Sequence, residues 1–482
     1  MNINTIVSTL ESIIWSNWLV GLCLLAGIYF SIRMAFPQVR LFKDMITLLR
    51  SGQTTETGVT PFQAFATSVG GRVGVGNIAG VATAIAIGGP GAVFWMWLSA
   101  FLGAGSAFTE SALAQAYKVK SGDVYIGGPA YFIEKGIGMK WYAVLFALAT
   151  ILAPGVLMPS AQTHTIATSV QSGFGINMTI TGVILVVLLA LIIFGGVKRI
   201  GKTAEIIAPF MALGYVVVAF IIIGANIGRV PEIFGLIFSS AFAMNALYGG
   251  IIGSAISWGV KRGVYSNEAG QGSGAIVSAA AEADHPASQG LVQAFSVYID
   301  TLVVCSATAF MILITDSYNV IGEGLAAPIT EHLPGVEYGV LYTQEAVNTL
   351  LAGFGDKFIA VSVFLFAFTS LMAYYYQAES NVSYLFPNKP LAITIFRLIF
   401  LGTSFYGVLN TSELIWTFGD LGVGIMAWLN IIAILILSNQ GIKLLKDYEE
   451  QKKQGLDPVF NPATIGIKSE VWEAKYREKR GK

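Results

Sequence analysis

The fold is decided by the stretch Val69-Gly70-Gly71-Arg72-Val73-Gly74-Val75-Gly76-Asn77-Ile78-Ala79-Gly80. Five of these twelve residues are glycine, and each glycine destabilises a helix interior by about 1 kcal/mol relative to alanine. Inside a membrane, backbone groups that leave a helix are costly unless they line a cavity or bind something. The stretch therefore predicts an unwound segment that faces a ligand. A packing face of small residues is the alternative, although packing alone requires neither Arg72 nor Asn77.

The composition around this stretch is that of a membrane protein. Hydrophobic residues make up 55% of the 482 residues and charged residues 12%, with a mean hydropathy of +0.68. One soluble core cannot hide so large an apolar share, so the expected partner is a lipid bilayer. The net charge of zero leaves no electrostatic footprint for nucleic acid, and no obligate protein partner is evident. Cys23 and Cys305 fall in apolar stretches and are interpreted as buried hydrophobic residues.

Eleven apolar stretches approach the roughly 20 residues that a membrane-spanning helix needs. They are 16–34, 62–87, 91–116, 141–169, 176–196, 206–228, 243–280, 287–315, 357–380, 391–409 and 414–438. No Lys or Arg precedes Arg33, so we expect the first stretch to be a retained anchor. The stretches 231–242 and 338–353 are predicted to be short surface helices. The expected architecture is an all-α polytopic membrane protein.

Basic residues recur in alternate loops, and this pattern sets the orientation of the chain. They are Arg33, Arg40, Lys43 and Arg50, then Lys118, Lys120, Lys135 and Lys140, then Lys198, Arg199 and Lys202. Ten more follow residue 438, whereas the loop 316–356 has none. We therefore expect a multi-pass protein of the inner cell membrane, with its N-terminus outside and its C-terminus cytoplasmic. The tail 439–482 is predicted to be a solvated extension, with lipid-headgroup contact as the alternative.

A second glycine-rich run lies between Trp258 and Gly274, inside the seventh stretch. In both runs an arginine is followed by asparagine five residues later and then by x-Ala-Gly: Arg72 with Asn77, and Arg262 with Asn267. The second and seventh spans run in opposite directions and each begins a set of five. Within a transporter domain 1–438, we therefore predict an inverted repeat of residues 62–228 and 243–438, preceded by the extra helix 16–34. Broken helices at corresponding positions of two repeats indicate the binding site of a secondary transporter.

Other functional classes explain these features less well. The glycine-rich runs lack the Gly-Lys-Ser/Thr ending of a nucleotide loop, and no strand precedes them. A membrane-embedded enzyme would need a nucleophile–base pair or a metal cluster, and His164, His285 and His332 lack metal-ligand spacing. A channel predicts a continuous polar stripe, whereas polarity here concentrates at one depth. We expect no organic cofactor and no metal beyond a transported ion.

Polar residues of two further spans are predicted to face the first broken helix. Thr369 and Ser370 fall near the centre of the ninth span, at the depth of Gly74–Gly76, where their hydroxyls suit a monovalent cation. The alternative is that they bond only to their own preceding turn. Near Asn77 a half-helix begins and favours a carboxylate, while carbonyls of the seventh span suit an ammonium group. Gln162, late in the fourth span, either contacts this zwitterionic ligand or caps neighbouring helices.

Seven charged residues lie within or near spans, where unpaired charge is expensive. They are Arg72, Glu110, Lys261, Arg262, Glu268, Asp300 and Asp420. For most of them we favour pairing and gating over substrate contact, and the pairs themselves cannot be read from the sequence. Proton coupling would require a titrating carboxylate, for which Glu110, Glu268 and Asp300 are the candidates.

Four ordered motifs resemble the alanine/glycine:cation symporter family, and the resemblance runs from about residue 15 to 440. They are Gly74-Val75-Gly76-Asn77-Ile78-Ala79-Gly80-Val81-Ala82-Thr83-Ala84, Gly88-Gly89-Pro90-Gly91-Ala92-Val93-Phe94-Trp95-Met96-Trp97, Gly127-Gly128-Pro129-Ala130-Tyr131-Phe132 and Trp258-Gly259-Val260-Lys261-Arg262-Gly263-Val264-Tyr265-Ser266-Asn267-Glu268-Ala269-Gly270. The resemblance implies a five-plus-five fold of the leucine-transporter type. It also implies sodium-coupled, or in some members proton-coupled, uptake of alanine or glycine.

The same resemblance implies the residues of the site. The substrate contacts would be Val75, Gly76, Asn77, Gln162, Tyr265, Ser370 and Tyr374, and the sodium contacts Gly74, Val75, Thr369 and Ser370. Three positions depart from the pattern of the family, with Val75 where Thr is common, Tyr265 where Phe is common and Tyr374 where Trp occurs. Backbone carbonyls still suit an ion without the Thr hydroxyl. The tyrosine at 374 can widen the pocket, so a larger neutral substrate such as glutamine is the alternative.

Overall fold

The described residues form an almost wholly helical bundle with two short β-hairpins. The computed structural model describes residues 3–49, 57–245, 247–324, 327–410 and 412–480. Its N-terminal part contains α1 (Ile3–Ile14), α2 (Asn17–Arg33), α3 (Pro37–Arg40) and α4 (Phe42–Leu49). The predicted first span, 16–34, corresponds to α2. The apolar stretch Thr5–Arg33 also takes in most of α1, which packs against a helix from the other end of the chain.

The predicted first repeat, 62–228, and the predicted surface helix that follows it contain nine α-helices and one hairpin among their described residues. They are α5 (Pro61–Arg72), α6 (Val81–Gly88), α7 (Gly91–Ala116), β1 (Val119–Ser121), β2 (Val124–Ile126), α8 (Pro129–Phe132), α9 (Lys140–Leu152), α10 (Met158–Phe174), α11 (Met178–Ile193), α12 (Gly196–Ala225) and α13 (Val230–Ala241). A π-helical turn, Ala153–Leu157, separates α9 from α10 and contains Pro154, which removes a helical hydrogen bond. The predicted surface helix 231–242 is α13.

The predicted second repeat and the tail continue the helical pattern. They contain α14 (Ile252–Asn267), α15 (Ser273–Ala279), α16 (Pro286–Val297), α17 (Ser306–Ile314), β3 (Asn319–Val320), β4 (Thr330–Glu331), α18 (Val340–Asn348), α19 (Gly355–Leu385), α20 (Pro390–Tyr406), α21 (Ser412–Ile436), α22 (Ser438–Lys453) and α23 (Glu470–Arg480). A long π-helical stretch, Tyr298–Cys305, joins α16 to α17. The other predicted surface helix, 338–353, is α18. Both hairpins pair antiparallel, β1 with β2 and β3 with β4.

Within the described residues, eight helices are long and apolar enough to cross a membrane, or nine if a bent pair counts as one span. The bent pair is Pro61–Arg72 with Gly76–Gly88 and matches the predicted second span. The predicted fifth span is the shorter apolar helix Met178–Ile193, and the predicted seventh span divides into α14 and α15. The all-α polytopic class is confirmed, while the count of eleven spans stays a prediction.

Small residues bring the helices around α7 close together. This helix contacts α2, α13, α14, α15 and α16. A Cβ atom added to Gly27 of α2 would lie 2.8 Å from the Leu102 side chain, and one added to Gly290 of α16 would lie 2.8 Å from Phe108. Glycine at such positions lets helix backbones approach closely, which is how helices associate without a hydrophobic driving force. The buried helix α7 is therefore the scaffold on which both broken spans are mounted.

The first broken span begins with a strong helix start and ends early. Thr60 and Gln63 form a capping box, and Pro61 occupies the first helical position. α5 ends at Arg72, and after Val73–Val75 the chain resumes as a π-helical turn at Gly76 that leads into α6. The two halves are bent by 49°.

The second broken span is interrupted between α14 and α15 by residues with left-handed backbone. Glu268 has a φ of 55°, and Gly270 and Gly272 have φ values of 83° and 88°. Left-handed conformations favour glycine, which explains part of the glycine content of this run. The non-glycine Glu268 holds the same backbone region at the break itself. Both predicted breaks are therefore present in the structure.

The C-terminal tail is docked on the bundle and is not the solvated extension predicted from its charge. Trp472 is completely buried and donates a hydrogen bond from Nε1 to the carbonyl oxygen of Gln115 at 2.8 Å. Phe460 is also fully buried and packs edge-on against Trp472, with ring centroids 5.3 Å apart. Lys475 forms ion pairs with Glu282 and with a second acidic residue of the same loop. A few large apolar residues in a charged segment were enough to anchor it.

The start of α5 is tied to the loop that the tail covers. Val59 forms a parallel β-bridge with Ala281, and the N–H of Val59 donates to the Ala280 carbonyl at 3.1 Å. The N–H of Glu282 donates back to the Val59 carbonyl at 2.9 Å. The first broken span is therefore fixed at this end to residues 280–282.

Candidate functional site

The unwound segment Val73–Val75 is held in shape by the side chain of Asn77. The N–H of Gly74 donates to Asn77 Oδ1 at 2.9 Å, so the asparagine replaces a hydrogen bond that the helix has lost. Asn77 is completely buried, as is Val75. The N–H of Val73 donates to the Val69 carbonyl at 2.7 Å, and the Gly74 carbonyl accepts from the N–H of Asn77 at 3.3 Å. The segment therefore keeps a defined conformation.

Gln162 of α10 reaches across to this segment. Its Oε1 atom accepts a hydrogen bond from the N–H of Val75 at 3.3 Å. Its Nε2 atom donates to the hydroxyl of Tyr374 on α19 at 3.2 Å. The sequence left two roles open for Gln162, contact with the ligand and capping of neighbouring helices. In the structure its amide joins the unwound segment to α19.

The paired hydroxyls of α19 lie beside the glycines of α5 and the segment after it. Ser370 Oγ donates to the Gly70 carbonyl at 3.1 Å, and also lies 3.1 Å from the Phe366 carbonyl of its own helix. A Cβ atom at Gly74 would lie 2.4 Å from Ser370 Oγ, so only glycine fits there. Thr369 packs on Gly70, because a Cβ atom added to that glycine would lie 3.0 Å from the Cβ atom of Thr369. The Ser370 hydroxyl therefore contacts the first broken span and also bonds to the preceding turn of its own helix.

Tyr265 of α14 packs against Gly76, directly after the unwound segment. Its ring atom Cδ1 lies 3.2 Å from a Cβ atom added at Gly76, and the residue is 2% exposed. Its ring packs against Trp416 of α21 with centroids 5.5 Å apart. A Cβ atom added at Gly419, also in α21, would lie 3.0 Å from the Tyr265 hydroxyl. Trp416 and Gly419 were not predicted, because nothing in the sequence links α21 to this depth.

The structure thus brings the predicted substrate and sodium residues into one buried cluster. Each has at least one described contact with the unwound segment, with its flanking glycines or with another member of the set. The Gly70 carbonyl was missed, since the prediction set the hydroxyls opposite Gly74–Gly76 and not one turn earlier. Within the described residues, no group of three or more His, Cys, Asp or Glu side chains could hold a metal ion.

Asp300 links the two broken spans next to this cluster. Asn77 Nδ2 donates to Asp300 Oδ1 at 2.6 Å, and the Ser266 hydroxyl lies 3.0 Å from Oδ2. Thr301 Oγ1 also donates to Oδ2, at 2.7 Å. The carboxylate is completely buried and is stabilised by these donors. Its position connects residues of the first break, through Asn77, with the last turn of α14.

Among the seven charged residues within or near spans, Lys261 and Arg262 form ion pairs with Asp420. Arg262 makes a two-pronged contact with Asp420, with nitrogen–oxygen distances of 2.9 and 2.6 Å, and Lys261 lies 2.8 Å from the same carboxylate. Lys261 also contacts Glu11 of α1. Trp15 donates from Nε1 to the Asp420 carbonyl oxygen at 2.7 Å. The predicted pairing is thereby identified on this side of the cluster, and α1 takes part in it.

A surface cavity lies away from this cluster. It encloses about 770 Å³ between the start of α5 at Pro61 and the tail residues Tyr448 and Val459. The residues of the candidate site are at most 2% exposed. Polar groups of α10, α19 and the unwound segment meet in the buried cluster, which makes it the candidate binding site.

The chain is similar in sequence to known membrane carriers. A family profile described as "Sodium:alanine symporter family" matches residues 1–462. A putative sodium/proton-dependent alanine carrier of Bacillus subtilis is 54% identical over 473 residues, covering 98% of each chain. A probable sodium/glutamine symporter of the same organism is 42% identical over 457 residues, covering 94% of this chain and 92% of the relative.

A solved structure is similar in fold. It is described as the substrate-bound outward-open state of a sodium-coupled sialic acid symporter, with a TM-score of 0.51. The match covers 97% of this chain and 96% of the other at 14% identity, which shows the fold alone. It confirms the predicted fold of the leucine-transporter type.

Proposed function

Because the chain belongs to the sodium:alanine symporter family, we propose that it carries a small neutral amino acid, alanine or glycine, into the cell together with sodium. The observation that supports this most directly is the meeting of the unwound segment with Gln162 and Ser370. Unwound backbone at membrane depth is stable only where it lines a cavity or binds a ligand. It acts as a carrier, with no role as an enzyme or a channel.

The substrate carboxylate binds at the turn Val75–Asn77. The N–H of Val75 donates to Gln162 Oε1 at 3.3 Å, which is long for a strong hydrogen bond. A carboxylate is a stronger acceptor than an amide oxygen and displaces Gln162 from this N–H. The start of the following half-helix adds favourable dipole charge. The substrate ammonium group lies at the carbonyl end of α14, whose dipole is negative there.

Sodium binds between the unwound segment and the hydroxyls of α19. Ser370 Oγ lies against both Gly70 and Gly74, and Thr369 packs on Gly70. Hydroxyl and carbonyl oxygens without a further acidic ligand suit a singly charged hard cation. Carbonyls of Gly74 and Val75 complete the proposed set. One elementary charge moved through 100 mV contributes about 2.3 kcal/mol, enough for more than tenfold accumulation.

The carrier works by alternating access in the inner membrane, with the N-terminus outside and the C-terminus cytoplasmic. On the outer side the Arg262–Asp420 pair closes the path above the cluster. On the cytoplasmic side the bridge between Val59 and Ala281 fixes the start of α5 beneath it. Sodium and substrate bind when one of these contacts is open, and release follows when the other opens.

The size of the substrate side chain is limited by aromatic walls. Tyr265, Tyr374 and Trp416 surround the cluster, and Tyr374 is held by Gln162. These rings favour alanine or glycine. A larger neutral substrate such as glutamine is the second candidate, since one relative is named as a probable sodium/glutamine symporter.

Uptake of radiolabelled alanine into proteoliposomes, with and without an inward sodium gradient, tests this function. We expect uptake only with the gradient, and we expect competition by glycine and serine. Asn77→Ala should abolish uptake because the unwound segment loses the hydrogen bond that holds it in shape. Asn410→Ala, at a side chain that donates to the Tyr406 carbonyl of the preceding turn, serves as the matched control. Alanine uptake that is indifferent to sodium would overturn the coupling. Uptake of glutamine without alanine would overturn the substrate.

A further inference from the structure

The chain directly before α5 is wedged between two parts of the fold. The N–H of Gly58 donates to the carbonyl of Asp123, in the turn between β1 and β2, at 2.9 Å. On the other side, the N–H of Val59 donates to the Ala280 carbonyl, in the loop that joins α15 to α16. A Cβ atom added at Gly58 would lie 2.5 Å from the Ala280 carbonyl oxygen and 2.9 Å from the Tyr125 ring. We call this place the slot: Gly58 and Val59 lie in it, with the hairpin β1–β2 as one wall and the loop between α15 and α16 as the other.

Helix α23 of the tail touches both walls of the slot with one face. On the side of the hairpin, the ring centre of Trp472 lies 4.9 Å from Nζ of Lys118, the residue directly before β1. On the side of the loop, Lys475 lies 3.1 Å from Asp284 Oδ1 and also contacts Glu282. Residues three apart lie on the same face of a helix, so Trp472 and Lys475 reach the two walls together.

Other parts of the tail also hold the loop wall. Lys479, one turn further along α23, lies 2.7 Å from Asp284 Oδ2. The N–H of Phe460 donates to the Asp284 carbonyl at 3.0 Å. His285 Nε2 lies 2.9 Å from Asp447 Oδ2 of α22. The tail therefore binds this loop through ion pairs and through backbone.

We propose that α23 is an autoinhibitory clamp, which keeps the start of α5 in the slot and thereby slows the opening of the carrier at this end. When α23 leaves the walls, the hairpin and the loop separate more readily and α5 moves out of the slot. The family profile ends at residue 462, so α23 lies beyond the stretch that it matches. The clamp rests on the proposed function, because alternating access is what gives the movement of α5 a role.

The clamp acts through the spacing of the two walls. In the alternating access described above, the start of α5 leaves the slot and loses hydrogen bonds to both walls. A segment binds more tightly to a preorganised site, because less order has to be created on binding. A contact shifts such an equilibrium only as far as it differs between the two states. Here it differs, because α23 reaches both walls at once only while they keep the spacing of the closed slot.

The first test measures how often α5 leaves the slot, and it needs no transport. Val59 is 3% exposed, so in purified full-length Val59→Cys the new thiol reacts with N-ethylmaleimide only when the slot is open. The substitution keeps the bridge to Ala281, which is formed by backbone atoms. The rate for protein that has only the native Cys23 and Cys305 is subtracted.

Loss of the ion pairs to Asp284 should open the slot. We expect Lys475→Gln with Lys479→Gln to raise the labelling rate of Val59→Cys about threefold or more, the effect of losing partly exposed ion pairs. The control is Lys468→Gln, at an exposed lysine of the tail that precedes α23. Replacing Lys475 and Lys479 with arginine keeps both charges and should keep the wild-type rate.

Salt gives the same test without the double substitution. Raising potassium chloride from about 0.01 to 1 M shortens the Debye length from about 30 to 3 Å and screens partly exposed ion pairs. The labelling rate of Val59→Cys should rise about threefold or more in the otherwise wild-type protein. In the double glutamine variant the rate should stay unchanged. The reagent carries no charge, so salt acts on the protein.

Transport is the second readout. With alanine and sodium equal on both sides of a proteoliposome membrane, radiolabelled alanine enters by exchange, which requires repeated opening at both ends. The double glutamine variant should exchange alanine about threefold faster than the wild type. A merely structural contact predicts the opposite sign, because its loss destabilises the protein and lowers exchange.

Each outcome decides the proposal. Equal labelling in the double glutamine variant and the wild type overturns it, and so does faster labelling without faster exchange. If the double variant does not reconstitute, the salt series on Val59→Cys alone decides, and an unchanged rate there overturns the clamp. Failure of the proposed function is separate, because it appears as wild-type protein whose alanine uptake a sodium gradient does not drive, whatever the labelling shows.

Discussion

The side-chain oxygen of Gln162 accepts a hydrogen bond from the backbone N–H of Val75 at 3.3 Å, across the break in the first broken span. The other end of the same amide donates to the hydroxyl of Tyr374. One neutral side chain thus joins α10, the unwound segment and α19 without adding a charge at membrane depth. It also occupies the N–H group that is proposed to bind the substrate carboxylate.

Removal of this amide should weaken substrate binding more than stability. We expect Gln162→Leu to raise the KM for alanine about tenfold or more, a change of about 1.4 kcal/mol or more, because the substrate loses the amide that it displaces from Val75 as a polar contact and Tyr374 loses its hydrogen-bond partner. Sodium-driven uptake at a series of alanine concentrations measures this. Gln171→Leu, at an exposed position of the same helix, is the control. Unchanged KM in Gln162→Leu would exclude the amide from the substrate site.

Both breaks could be predicted from the sequence because glycine weakens a helix through its own backbone, without any contribution from distant residues. Glycines from Gly70 to Gly80 weaken the helix wherever they lie, and a left-handed φ at Gly270 and Gly272 needs no distant partner. The pairing of Arg262 with Asp420 depends instead on how α14 and α21 pack. Sequence reasoning therefore located the charged residues and could not pair them.

The Arg262–Asp420 pair gives a second prediction. Both side chains are at most 4% exposed, so neutralising one leaves the other buried without its partner. We expect Asp420→Asn to destabilise the protein by about 3–5 kcal/mol and to lower its thermal midpoint in detergent, since Lys261 loses the same carboxylate. Sodium-driven uptake should fall in parallel, because the contact proposed to close the outer side is weakened.

A matched variant separates this effect from a general loss of charge. Asp123→Asn removes an exposed carboxylate in the turn between β1 and β2 and should leave the midpoint within experimental error. Equal midpoints for Asp420→Asn and the wild type would contradict the assignment of a buried ion pair.

The docked tail gives a third prediction. Trp472 is completely buried against Phe460 and Gln115, and truncation of a buried tryptophan costs about 3–5 kcal/mol. Trp472→Ala should therefore release the tail, and trypsin should cleave near Lys468 and Lys475 at least about tenfold faster. Trp141→Ala, at a side chain that is 68% exposed, is the control. Equal digestion rates for the Trp472 variant and the wild type would show that other contacts hold the tail.

Charge alone misled the sequence reading of this tail. Its mixed charges predicted solvation, yet several of them pair with the loop after α15, as Lys475 does with Glu282. The apolar residues that anchor it are too far apart to form a periodic pattern. A docked segment of this kind becomes visible only when both partners are placed in space.

The fourth prediction concerns Lys118, which lies beneath the tail outside the membrane-spanning helices. Burial lowers the pKa of Lys118 to about 7, although nearby Glu282 opposes the shift. Its Nζ atom donates to the Ala281 carbonyl at 2.8 Å and lies 4.9 Å from the centre of the Trp472 ring. Protonation of Lys118 therefore places a charge inside the contact between the tail and the loop that holds α5.

The sign of the pH dependence follows from the two states of this lysine. In the unfolded chain Lys118 keeps its proton up to about pH 10, whereas the folded protein releases it above about 7. Between these values the unfolded state binds more protons, so stability should rise with pH. We expect the thermal midpoint of the wild type to increase from pH 6.5 to 9 relative to Lys118→Met, which cannot titrate. Lys120→Met, at an exposed position two residues later, should keep the wild-type slope. Lys118→Met differs from the wild type at this one side chain. If it kept the wild-type slope as well, the titrating group would lie elsewhere.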